Sequence, residues 1–197
     1  MTTKTLAQSA KDKLRRKIVP MLDRDSGGRT IHVHGADKHN VEVNRFIDAV
    51  LDDLKKEYDF NLVILDSGEF DNKGLLTFLH LCMFGGSVLS KREADMSLAE
   101  YFINSTGPVA WIIVLRHSLR LDEFENSLAR LFRIIRNSNI SVTLILAGSK
   151  VWTNKMEQRT RERMGGVYVC IGPKTKFYET MTPSNDSLQN EQTQSEK

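Results

Sequence analysis

The stretch IHVHGADKHN, Ile31 to Asn40, places two imidazoles two positions apart, then a glycine and a short polar run. On a strand, residues two apart share a face, so His32 and His34 could both reach one ion. Zinc takes such nitrogen ligands in a tetrahedral set. Asp66 and His117 each follow an apolar run and could complete four N/O ligands for a metal-assisted hydrolase. Two ordinary strand histidines fit the same spacing, and His32 would then point into a helix layer. A second chemistry uses the same residues. A glycine-bearing loop between strand and helix is the frame for binding an anion, because the first helical N–H groups have no partner within the helix. Gly35, Lys38 and Asn40 occupy that frame.

Neither chemistry works without elements to hold it. The chain has 197 residues, 40% hydrophobic and 27% charged, with net charge +3. These totals fit one globular core and do not by themselves call for a nucleic-acid partner. Only two cysteines occur, Cys82 and Cys170, which fits buried thiols in a reducing compartment. No run approaches the roughly 20 apolar residues of a membrane span, and the first residues lack the apolar core of a secretory leader. The expectation is a cytosolic or nuclear protein in which the Asn-x-Ser/Thr matches at Asn104, Asn139 and Asn185 are chance.

Residues 4–18 read as a basic amphipathic helix stopped by Pro20, and 1–27 as this helix plus a linker. RTIHVHG is the first strand. Val43, Phe46, Ile47, Val50, Leu51 and Leu54 then recur at helical spacing behind Asn40. FNLVILD, PVAWIIVL, ISVTLILAG and GVYVCIG are continuous apolar runs, as in strands covered on both faces. GLLTFLHLCMF is apolar all round and closes at Gly85-Gly86. SKRE and SLAE are alternative capping boxes for the next helix, which runs to about Asn104. Further helices cover Leu121–Arg136 and NKMEQRTRERM. Strands and helices alternate without hairpin turns. The fold expected over 28–178 is therefore α/β: a three-layer sandwich with a mainly parallel five-stranded sheet and helices on both faces. The last residues, 179–197, have almost nothing to bury and read as a disordered tail.

Over about residues 29–178 the order of elements resembles a small-GTPase-type P-loop domain. LDSGEF sits where that family has its Asp-x-x-Gly switch, with Asp66 and Gly68 as the matching residues. SLRLDEFENSLARLFRIIRNSNISVTLILAGSKVW resembles the helix and strand leading into the guanine-reading Asn-Lys-x-Asp, with Lys150 at the lysine. CIGPKTK resembles the last, Ser-Ala-Lys-like loop. The resemblance implies a nucleotide site at Gly35, Lys38, Asn40, Asp66, Gly68 and Lys150. The departures imply that the site is vestigial. Against G-x-x-x-x-G-K-[ST] counted from Gly35, Asn40 replaces the second glycine, Val41 the lysine and Glu42 the hydroxyl residue. Val41 carries no charge for the phosphates, and Glu42 would repel them. Trp152 stands where an aspartate would accept the guanine N–H groups. No bound cofactor is expected.

Other resemblances lead elsewhere. IHVHG is similar to the opening of metal-dependent amidohydrolases, whose eight-stranded barrel takes about 250 residues. VILDSGEFDNKGLLTFL resembles the strand, phosphorylatable loop and helix of sulfate-transporter/anti-sigma-antagonist domains, with Ser67 at the serine. Ser67 and His117 could also pair as nucleophile and base. Residues 116–176 hold twelve Lys/Arg against five Asp/Glu, so nucleic-acid binding through this half is an alternative function. The reading these observations favour is a non-catalytic interaction or scaffold domain that binds another protein. Its expected surface is Phe70, Leu75, Leu76, Leu79 and Phe84, because a helix apolar all round must be covered by its own domain or by a partner.

Overall fold

The computed structural model describes residues 6–22, 27–35, 40–66, 74–107, 110–116, 125–149 and 166–171. The apolar runs form β1 (Gly27–Gly35), β2 (Phe60–Asp66), β3 (Ala110–Arg116), β4 (Ser141–Ser149) and β5 (Gly166–Ile171). The helices are α1 (Leu6–Leu22), α2 (Asn40–Lys55), α3 (Leu75–Phe84), α4 (Lys91–Asn104) and α5 (Glu125–Arg136). The strands pair in parallel in the order β2-β3-β4-β1-β5. This is the α/β sandwich expected from the alternation of elements. The expected helix NKMEQRTRERM and the tail 179–197 lie outside the described residues.

Two apolar layers hold the sheet. On one side, Ile31, Val33, Ile112, Val114 and Ile145 meet the whole expected stripe of α2, Val43 to Leu54. On the other, Val63, Leu65, Ile113, Leu144 and Leu146 meet α3, α4 and α5. Alternation along each strand divides its side chains between these layers. Helix α1 joins the first layer through Leu14 and Ile18, both fully buried. It does not stop before Pro20, as the sequence suggests, but continues to Leu22. A proline in the last turn removes one backbone donor. Met21, 1% exposed, gains burial there, and the Ser141 hydroxyl donates to its carbonyl. Outside, Arg15 of α1 pairs with Glu57 beyond α2 and holds that carboxyl below its usual range.

Helix ends are closed by particular residues. Of the two candidate capping boxes, Ser90-Lys-Arg-Glu93 forms. The Glu93 N–H donates to Ser90 Oγ at 3.3 Å, and the Ser90 N–H donates to Glu93 Oε2 at 2.9 Å. Hydrogen bonding to its carboxylate from the Ser90 side chain, and then from the Ser90 backbone, keeps the Glu93 carboxyl below its usual range. Ser90→Ala should cost about 1 kcal/mol in urea unfolding, a typical value for a lost cap. At the other end of α4, the Asn139 N–H and the Ser138 hydroxyl donate to the Phe102 carbonyl at 2.9 and 3.2 Å. The Asn139 amide donates to the Ile103 carbonyl. That side chain is therefore spent on a helix end. Gly85 and Gly86, at φ 67° and 86°, close α3 in a backbone region that favours glycine.

Candidate functional site

In open parallel sheets, ligands bind beyond the carboxyl ends of strands, where neighbouring connections leave in opposite directions. Here that point lies between β1 and β4. From β1 the chain crosses β4 and β3 to reach β2, with α2 on one face. From β4 it returns past β1 to β5. Gly35 ends β1 in register with Ser149 of β4 and Ile171 of β5. Helix α2 begins at Asn40, five residues on. Strand end and helix start are thus separated in sequence only by residues 36–39, and that loop lies outside the described residues. Lys38 lies outside the described residues.

Among the described residues, the groups needed to hold a magnesium triphosphate are not gathered there. At the position of the lysine and hydroxyl, α2 carries Val41 and Glu42. Beside β1, β4 ends in Ala147-Gly-Ser149. One strand further, β3 ends in Arg116, whose guanidinium pairs with Asp48 of α2. Arg116 is on the α2 side because its strand mates Ile112 and Val114 face that layer. A cation committed to α2 does not replace a carboxylate that could hold magnesium.

Asp66 is exposed at the end of β2, the edge strand, in register with Arg116. Three strand spacings separate β2 from β1, about 14 Å at the usual interval. This corrects the sequence reading that grouped Asp66 with Gly35 in one vestigial nucleotide site. The same distance corrects the metal reading, since Asp66 cannot share one ion with His32 and His34. His32 is 1% exposed and lies on the α3–α5 side, in register with Leu146. His34 is in register with Gly148 and Cys170. Among the described residues, no three His, Cys, Asp or Glu side chains come together to hold a metal. His117, Gly68, Phe70 and Lys150 lie outside the described residues.

The expected partner surface also needs correction. Leu75, Leu76 and Leu79 are 2%, 5% and 0% exposed and belong to the core. Helix α3 is apolar all round because sheet, α4 and α5 cover most of it. Phe84 alone of the described candidates reaches the surface, with its ring centroid 4.9 Å from that of Tyr101. Val88, Met96 and Ile103 are also exposed in this part of the chain. Sequence reasoning missed them because single apolar residues in polar segments carry no periodic pattern.

No protein-family model matches the chain, and no curated protein matches its sequence. Solved structures do match. Cdc6p from Pyrobaculum aerophilum is 14% identical, with TM-score 0.64, over 89% of this chain and 47% of that one. The Drosophila ORC bound to AT-rich DNA and Cdc6 is 11% identical, with TM-score 0.58, over 86% of this chain and 29% of that one. The Aeropyrum pernix ORC2 protein, in ADPNP–ADP complexes, is 11% identical, with TM-score 0.53, over 87% and 49%. The chain thus spans about half the length of the archaeal proteins, and less of the Drosophila one. The similarity is to ORC and Cdc6 proteins rather than specifically to small GTPases, and it shows a P-loop-like α/β fold.

Proposed function

We propose that this chain is a non-catalytic interaction domain, a P-loop-like fold that has lost its magnesium–nucleotide chemistry and works by binding another protein. The observation that carries the reading is the start of α2. There Asn40, Val41 and Glu42 follow Gly35 where glycine, lysine and a hydroxyl residue would serve phosphate and magnesium. The absence of a carboxylate from the described ends of β1, β3 and β4 supports it. Neighbours of the same fold are described in assemblies with DNA and Cdc6, which suits a role inside a complex. Among the described residues, the exposed side chains of Phe84, Val88, Met96 and Ile103, with Ile64 on the edge strand, are large apolar groups available to a partner protein.

The test is titration of the purified chain with fluorescent ATP and GTP, with and without magnesium. No saturable magnesium-dependent binding is expected up to about 1 mM nucleotide, a ceiling that corresponds to about −4 kcal/mol. Micromolar binding that requires magnesium overturns the reading.

A further inference from the structure

On the α3–α5 side, the first turns of α3 and α4 and one face of α5 border a cleft of about 550 Å³. Its lining includes Gly74 and Leu75 where α3 starts, Lys91 where α4 starts, and Ser127, Arg130 and Arg133 of α5. The volume is that of a small-ligand site, within about 300–1,000 Å³. Helix α3 follows β2, so its first turn lies toward the carboxyl edge of the sheet. The cleft is distinct from the β1–β4 switch point.

Among the described residues, its electrostatics are one-sided. Gly74, at φ 82°, precedes α3 and gives it no side-chain cap. A Cβ at Gly74 would come 3.1 Å from Lys91 Cε, so glycine leaves room for the lysine chain over the start of α3. A cation is thereby held beside the positive end of a helix, which is unfavourable by itself. Arg130 and Arg133 add two guanidinium groups. Asp95 accepts from Arg130 at 3.0 Å. Among the described residues, Lys91 and Arg133 have no ion pair, and no other carboxylate balances the cleft.

We propose that this cleft binds the phosphate groups of an anionic ligand. Guanidinium forks and an ammonium suit tetrahedral oxyanions, which accept several hydrogen bonds at once. Among the described residues no aromatic side chain lines the cleft, so the recognition proposed is of phosphate rather than of a stacked base. This site is independent of the lost chemistry at β1, and either proposal can fail without the other.

The test uses the full chain in magnesium-free buffer with two probes, inorganic tripolyphosphate by calorimetry and a fluorescent dT12 strand by polarisation. At least one probe should bind. Tripolyphosphate alone assigns a small phosphorylated ligand, and binding of the strand assigns a nucleic-acid backbone. The double variant Lys91→Ala/Arg133→Ala should weaken binding at least about tenfold. For the strand, it should flatten the slope of log K against log salt by about 1.4, the loss of two phosphate contacts. Arg136→Ala, on α5 but outside the lining, should change affinity less than about twofold, since it makes no such contact. Three results each overturn the proposal. Neither probe binds; Arg136→Ala weakens binding as much as the double variant does; or the double variant melts earlier with affinity unchanged, which makes the cations structural.

Discussion

Gly28→Ala is expected to destabilise the fold by about 3 kcal/mol, at the upper end of the cost of overpacking. Gly28 lies near the start of β1, in register with Val142. A Cβ there would fall on the Ile135 side chain and lie 2.5 Å from its carbonyl oxygen. The oxygen belongs to the last turn of α5 and cannot move as a side-chain tip can. Relief requires the helix end to shift, and that shift drags Ile134 and Ile135 out of the apolar layer they share with Leu144. Urea unfolding of the variant measures the loss. An unchanged midpoint would show that α5 does not sit against β1 in this way.

Leu79 should respond even more strongly. It is fully buried in the same layer as Leu98, Phe102 and Ile113. Leu79→Ala removes about 2–5 kcal/mol through lost transfer energy and the cavity left behind. Leu79→Glu should leave no folded protein at neutral pH, because a carboxylate there has no partner and no water. Phe84→Ala provides the contrast. That ring is 40% exposed, so its removal should cost clearly less while altering the surface offered to a partner. Circular dichroism on heating ranks the three. A folded Leu79→Glu variant with native melting would falsify the placement of α3. Charges at Leu76 or Leu79 therefore report on folding, and recognition is better probed at Phe84 or Val88.

What could be read in advance follows from which forces are local. The α2 stripe is a property of spacing, and all six of its apolar residues are buried as expected. The four runs FNLVILD, AWIIVLR, SVTLILAGS and GVYVCI are strands within about two residues of the expected limits. The choice of Ser90 over Ser97 as a cap needed the structure. Ser97 Oγ instead lies 3.0 Å from His80 Nε2 in the α3–α4 contact. Pro20 misled because its cost is local, whereas the burial of Met21 that offsets it comes from distant parts of the chain. Strand order was the largest gap. Nothing within IHVHG or FNLVILD says that two other strands separate them, so Asp66 could be assigned to a site about 14 Å away. Helix α3 was half legible: its composition demanded cover, but composition does not say whether cover comes from the same chain.

The placement of β1 has a consequence for how the chain folds. Its two neighbours in the sheet, β4 and β5, are made long after it, and Gly27 must find Ser141 across more than a hundred intervening residues. Such distant pairing is slow to close, and both edges of β1 stay unpaired until β4 and β5 have been made. Assembly from the β2–β3 side inward, with β1 captured late, is the route this connectivity favours. A nascent chain halted before β4 would expose the apolar side chains of Ile31 and Val33 to any holding chaperone.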